Sequence, residues 1–303
     1  MNRRELDRRI GAAWRHAAAL PIWNEPVEPR SLPGGISNIN FLVEDAGKKF
    51  VVRIGGDVEQ HGVVRKNELA ASRAAAAAGV APAVIHSEPG VLVVRYIEGR
   101  TLTPADVRNP RNLDRIVALV RRTHQETPKH LRGPGVLFWV FHAIRDYEHR
   151  LLEGPNPNRA LVKRLTAQSE ELERAIGPIR LVFGHNDLLA ANMIDDGERL
   201  WLVDWEYAGF NTALFDLGGV SSNSEMPIAL RERMLEAYYQ RPVDDRLRHR
   251  FAAMTAASLL RETMWSMVSE IHSQLDFNYA AYTAENLARF ERAYTAFKSM
   301  GRA

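Results

Sequence analysis

The segment from Leu181 to Tyr207 constrains the fold of this chain more than any other. The apolar run Leu181-Val182-Phe183 leads into His185-Asn186-Asp187-Leu188-Leu189-Ala190-Ala191-Asn192, and a hairpin follows from Asn192 to Val203 around Asp195-Asp196-Gly197. An Asp-Gly step between two apolar runs reverses the chain. Asp204, which follows Leu200-Trp201-Leu202-Val203, is therefore returned beside the loop that the chain has just left. Asp187, Asn192 and Asp204 are brought to one place.

The chain has 303 residues, more than one average domain, and reads as two lobes sharing a cleft. Leu6, Ile10, Ala13, Trp14 and Ala17 recur at helical spacing, and a proline-punctuated stretch follows from Pro21 to Pro33. Asn40 to Glu44 and Lys49 to Ile54 then alternate as strands around the turn Asp45-Ala46-Gly47. A helix over about Gly62 to Ala78 ends in an alanine run, with Gly79 as its stop and Pro82 beyond. Two more strands, Val84 to Ser87 and Val91 to Tyr96, precede a break at Glu98-Gly99-Arg100, which is read as a hinge. Helices over Leu113 to His124, Trp139 to Leu152 and Asn158 to Ile176 lead to the 181–207 segment, and helices follow it to the C-terminus. The expected class is α+β, with a small antiparallel-sheet lobe over residues 1–97 and a larger, mainly helical lobe over 98–303.

Composition removes several classes of function. Lys and Arg number 40 against 37 Asp and Glu, a net charge of +3, and the basic residues are scattered among acids, so no nucleic-acid partner is implied. The chain has no cysteine, which excludes disulfides, thiolate metal sites and cysteine nucleophiles and fits the cytoplasm. Arg15 and His16 break the apolar stretch behind the basic N-terminus, so it makes a poor signal peptide. No window reaches the roughly 20 apolar residues that span a bilayer, and no membrane insertion is expected.

Phosphoryl transfer requires placement more than covalent chemistry from a protein: a carboxylate to orient the acceptor hydroxyl and take its proton, and ligands for the metal on the nucleotide phosphates. Asp187 and Asn192 have the separation of a kinase catalytic loop, with Asp187 as base and Asn192 as a metal ligand. Asp204 supplies the second metal ligand. Hard oxygen donors of this kind suit Mg²⁺, so ATP and Mg²⁺ are the expected nucleotide and ion. His185 is read as a packing residue that braces the loop, and Asp216 as the side chain that holds the loop's backbone N–H groups.

His185-Asn186-Asp187-Leu188 together with Asp204-Trp205-Glu206-Tyr207-Ala208-Gly209-Phe210-Asn211 resembles the choline/ethanolamine kinases, relatives of the aminoglycoside phosphotransferases, over about Gly34 to Tyr282. The resemblance implies the two-lobed protein-kinase-like fold. Asn186 points to the choline kinase branch, since the antibiotic kinases usually carry Gly between the His and the Asp. Pro33-Gly34-Gly35-Ile36-Ser37-Asn38 is not a Walker A loop but is similar to the family's Gly-Gly-x-Ser-Asn loop, which assigns Gly34, Gly35, Ser37 and Asn38 to the nucleotide. Arg53, a charge on an apolar strand, calls for a partner, and Glu68 is the best candidate. The resemblance implies that Arg53 stands where kinases use Lys; on a second reading it is a strand-edge residue and Lys49 meets the phosphates. At the hinge, Tyr96-Ile97-Glu98 is expected to offer backbone N–H and C=O groups to the adenine edge, Tyr96 and Ile97 foremost.

A cationic acceptor is best held by aromatic faces with carboxylates nearby. In the helix over about Phe251 to Ser273, Met264, Met267, Ile271 and Leu275 read as the apolar stripe, and Trp265 stands beside it. The resemblance places Trp265, Tyr282 and Tyr207 where choline kinases have cation-facing aromatics, whereas Glu262 occupies the position of a second Trp. Phe277 and Tyr279 are left to the core. The implied substrate is a small amino alcohol, choline or ethanolamine, with an aminoglycoside, thiamine or a sugar as alternatives within the fold. A nucleotide-binding pseudokinase module is the alternative from another class.

Overall fold

The computed structural model describes residues 3–33, 38–154, 156–273 and 277–300. The chain opens with α1 (Arg3–Ala18), β1 (Arg30–Leu32), β2 (Ile39–Asp45), β3 (Lys48–Ile54), α2 (Arg65–Ala77), β4 (Val84–Glu88) and β5 (Val91–Arg95). These strands form an antiparallel sheet in the order β1-β2-β3-β5-β4. Ala46 and Gly47 both have positive φ, 50° and 71°, the backbone that a two-residue hairpin needs to match the twist of its strands. Phe41, Val43, Phe50, Val52, Val91 and Val93 alternate along their strands and form one core with Ala13, Ala17 and Leu20 of the first helix and its exit. Arg53 points to the opposite face.

Past residue 95 come β6 (Arg100–Thr101), α3 (Pro104–Val107), α4 (Leu113–His130), α5 (Val140–Leu152), α6 (Arg159–Ile176), β7 (Leu181–Gly184), β8 (Met193–Asp195), β9 (Leu200–Leu202), β10 (Gly209–Thr212), α7 (Ala213–Asn223), α8 (Ile228–Tyr239), α9 (Asp245–His272) and α10 (Tyr279–Met300). The break at Glu98-Gly99 is a close crossing, since a Cβ on Gly99 would lie 2.6 Å from the Asp195 carbonyl oxygen where β6 pairs with β8. No side chain fits there. The alanines of α2 serve the larger core: Ala71, Ala75 and Ala78 are buried with α4 and the helices beyond, so that core reaches back across the expected boundary at residue 97. Among the described residues no helix is long and apolar enough to cross a membrane.

The stripe read on the Trp265 helix does not hold. Met264 and Met267 are buried, but Ile271 is 57% exposed, while Leu275 lies outside the described residues. α9 packs against α5, α6, α7 and α10, and a central helix is apolar on most sides along its middle and has no single face to mark. Trp265 is accordingly buried, at 8% exposure, and Phe277 is 45% exposed, packed in T-shaped contacts with Tyr279 and Tyr282 instead of entering the core.

Candidate active site

β7 delivers the chain into the loop at Gly184, where an added Cβ would meet Asn186 Oδ1 at 2.9 Å and Asp216 Oδ2 at 3.1 Å. Asp216, buried in the first turn of α7, accepts from the backbone N–H of His185 at 2.8 Å and of Asn186 at 2.7 Å, and from His124 Nε2 at 2.8 Å. Burial opposes its charge, but His124 and these donors hold its carboxyl below the ordinary value. Asn186 takes the left-handed backbone at φ 63°, which Asn and Gly tolerate best. Its side chain faces inward, donating to the carbonyls of Tyr207 at 3.0 Å and Gly209 at 3.2 Å and accepting from Asn211 at 3.1 Å. Asn186 is a clamp between the loop and the 207–211 segment. His185 donates from Nε2 to the Val203 carbonyl at 3.0 Å and lies edge-on to Trp205, and burial pushes its pKa down.

These anchors set three oxygen-bearing side chains at the mouth of the loop. Asn192, in the turn Ala190–Asn192, donates from Nδ2 to the Asp187 carbonyl at 2.9 Å and to Asp187 Oδ2 at 3.3 Å, which orients its amide so that Oδ1 serves as an acceptor. Burial pushes the Asp187 carboxyl up to about 8, with Arg261 opposing and Glu262, Asp204 and Glu206 adding to the rise. Asp204, at φ 69°, accepts from Arg53 Nη2 at 2.7 Å; burial works against its charge, yet Arg53 keeps its carboxyl below the ordinary value.

Arg53 also lies 3.1 Å from Glu68, a close ionic contact without hydrogen-bond alignment. Arg65 Nη1 bridges Glu68 at 2.7 Å and Glu206 at 3.0 Å. The strand, α2 and the segment after β9 are thus joined by one chain of alternating charges. Lys49 stands apart from this chain of charges and pairs with Glu98 at 2.7 Å on an exposed edge. The Tyr96 N–H donates to the Lys49 carbonyl at 3.1 Å, so that donor is taken up by the sheet and is not free for the expected adenine contact. Gly34, Gly35 and Ser37 lie outside the described residues. Asn38 lines a cavity of about 580 Å³ with Arg53, Arg65 and Glu68.

At the other end of the cleft, Tyr207, Glu262, Trp265 and Tyr282 do come together. Trp265 Nε1 donates to the Tyr207 hydroxyl at 3.2 Å, and the Tyr282 hydroxyl donates to Glu262 at 2.8 Å. Their ring faces carry protein groups. His61, from the turn Glu59–His61 after β3, lies 5.0 Å from the Trp265 ring at 31° and hydrogen-bonds Ser269 at 3.0 Å. The Arg261 guanidinium lies 4.3 Å from the centre of the Tyr207 ring and 3.1 Å from Glu262. A cavity of about 160 Å³ beside Tyr207 is lined in part by Asp146, Tyr147 and Glu206.

Sequence reasoning left out Arg65, Glu206, His61 and Arg261. The rule that singled out Arg53, that a charge inside an apolar run needs a partner, applies equally to Arg261 between Leu259-Leu260 and Thr263-Met264. For His61 no local signal exists.

Comparison with known proteins agrees with this geometry. A family model described as choline/ethanolamine kinase matches residues 30–228. The LicA protein of Haemophilus influenzae is 30% identical over 216 residues, 69% of this chain and 62% of that protein, so the match spans less than two thirds of LicA. Human ethanolamine kinase 2 is 27% identical over 297 residues, 86% of this chain and 75% of that protein. The crystal structure of a choline/ethanolamine kinase family protein from Mesorhizobium loti superposes with a TM-score of 0.77 at 28% identity, covering 96% of this chain and 98% of that one.

Proposed function

The chain belongs to the choline/ethanolamine kinase family, and on that premise we propose that it transfers the terminal phosphoryl group of ATP to the hydroxyl of a small amino alcohol. The observation that carries this reading is the convergence of Asp187, Asn192 and Asp204 on one loop mouth, with Arg53 reaching Asp204 from the sheet. Asp187 accepts a hydrogen bond from the acceptor hydroxyl and takes its proton as the bond to phosphorus forms. A carboxyl pushed up to about 8 is a stronger proton acceptor than an ordinary aspartate, and a cationic acceptor beside it favours the ionised form the reaction needs. Arg53, held by Glu68, presents a fixed cation to the phosphates, and Asp216 keeps the loop backbone rigid so that Asp187 needs no reorganisation.

The donor set of Asn192 Oδ1 and Asp204, one amide and one carboxylate oxygen, fits Mg²⁺, which when bound there would offset phosphate charge. We place the nucleotide between the sheet and the loop, with residues 1–97 as its lobe, and the reaction in the cytoplasm, where ATP is supplied.

The reading is tested by ADP release with ethanolamine, choline, thiamine and kanamycin as acceptors. Turnover that requires an amino alcohol supports it; turnover with thiamine or kanamycin alone would move the chain to another acceptor class, and nucleotide binding without turnover on any acceptor would favour a pseudokinase module.

A further inference from the structure

The region around the acceptor end is acidic. The charge of Glu262 acts on Asp187, and Asp146 and Glu206 line the neighbouring cavity, so a positively charged acceptor is electrostatically welcome. Charge alone does not separate a primary ammonium from a quaternary one. The two differ in how they are held: a primary ammonium carries three N–H donors and is satisfied by carboxylate and carbonyl oxygens, whereas a quaternary ammonium has no donor and depends on open aromatic faces.

A face of Tyr207 and a face of Trp265 are covered. The Arg261 guanidinium sits 4.3 Å from the Tyr207 ring centre, buried at 4% exposure, and is fixed there by Glu262 at 3.1 Å. His61 covers Trp265 from one side, and Tyr279 lies 6.1 Å from the same ring. Tyr282 turns its hydroxyl to Glu262 and packs T-shaped against Phe277. Arg261 is therefore an internal cation in the position that a quaternary ammonium would take. Removing it would leave Tyr207 with a free face, and Glu262 would still hold the Tyr282 hydroxyl.

We propose that Arg261 is a specificity-determining residue that occupies the Tyr207 face and excludes quaternary ammonium acceptors, so that this site takes a primary amino alcohol held by carboxylate oxygens. The inference rests on the proposed amino alcohol kinase activity and narrows its acceptor. Discrimination is set by the N-methyl groups, with the phosphate end of the site indifferent to them.

The test is kcat/KM for ethanolamine and its mono-, di- and trimethyl derivatives, measured for the wild-type protein, Arg261→Met and Arg261→Lys. For the wild type, kcat/KM should fall with each methyl group, by about tenfold or more from the first to the last, the scale of one desolvated cation–π contact. Arg261→Met should raise the choline-to-ethanolamine ratio by about tenfold, chiefly through KM, and Arg261→Lys, which keeps a cation on the ring, should move it much less. Choline used as well as ethanolamine by the wild type, or a ratio unmoved in Arg261→Met, overturns the inference while leaving the kinase reading intact. If no amino alcohol is phosphorylated at all, the kinase reading fails, and the inference is then decided by melting-temperature shifts. Methylammonium but not tetramethylammonium should stabilise the wild type, and Arg261→Met should reverse that preference; equal stabilisation of the wild type by the two ions sinks the proposal. Should Arg261→Met not fold, the wild-type methyl series and Arg261→Lys decide by the same criteria.

Discussion

The two ends of the cleft are built on different principles. At the phosphate end the buried charges of Arg53, Arg65 and Asp216 are matched by partners of opposite sign or by backbone donors: Arg53 with Asp204 and Glu68, Arg65 with Glu68 and Glu206, Asp216 with His124 and two loop N–H groups. At the acceptor end the structure uses rings, and it fills their faces with its own cation and imidazole. Paired buried charges fix geometry, because breaking a pair strands its partner without solvent. Covered ring faces fix selectivity by excluding alternatives. Chemistry should therefore be lost at one end, and specificity or stability altered at the other.

The largest effect should come from Asp204→Ala. It removes a metal ligand and leaves Arg53 without its shortest partner, and kcat should fall on the order of 10³-fold while the affinity for the amino alcohol stays near its wild-type value. An equal rise in acceptor KM would break the division between the two ends. Arg53→Ala comes next, lowering kcat/KM for ATP by about 10²-fold. Because it deprives Glu68 and Asp204 of a buried counter-charge, it should also cost about 3 kcal/mol in denaturant unfolding.

A smaller effect concerns pH and sits at the acceptor end. Burial, with Arg261, Arg150 and His272 nearby, lowers the pKa of His61 to about 3, below its value in an unfolded chain. A depressed histidine is neutral when folded, so its contribution is present above about pH 6.5 and is lost as the pH falls toward 3. At pH 5 the loss should be about 2 kcal/mol relative to pH 7.5. Because Asp187, with its carboxyl pushed up to about 8, contributes in the opposite direction over the same range, the His61 loss is read as a difference: from pH 7.5 to 5 the change in unfolding free energy should be about 2 kcal/mol less favourable for the wild type than for His61→Gln, and equal changes would detach His61 from the packing of the cleft. The smallest effect is a control: Arg164→Ala, which breaks a half-exposed pair with Glu291 between α6 and α10, should leave rate and melting temperature unchanged.

The same contrast explains what could be read from the sequence. The loop, its hairpin and the return of Asp204 were legible because they depend on a short segment in which an Asp-Gly turn and apolar alternation dictate the path. Four strands of the sheet were legible for the same reason, and the β2–β3 hairpin carries the two positive φ values that the turn requires, whereas β1 (Arg30–Leu32) lay hidden in the proline-punctuated stretch. The acceptor end was legible only as a set of residue types. His61 and Ser269 meet across 208 positions, and Trp265 and Tyr207 across 58, distances over which no local pattern acts. The surroundings of α9 hid its stripe, because a helix packed on most sides presents no polar face against which one could be seen. Asn186 was legible only as part of the resemblance, and its role as a clamp follows from a left-handed backbone and an inward amide that only the folded loop reveals.

Asp187 lies where the two ends meet, touching Asn192 on one side and facing the charges of Arg261 and Glu262 on the other. The most direct test of the account is single-turnover transfer of the labelled terminal phosphate of ATP to ethanolamine, comparing the wild type with Asp187→Asn at equal nucleotide occupancy. The expected result is labelled phosphoethanolamine from the wild type and on the order of 10³-fold slower transfer, or none, from the variant with its fold and ATP affinity retained. Transfer by Asp187→Asn at the wild-type rate would contradict the central claim.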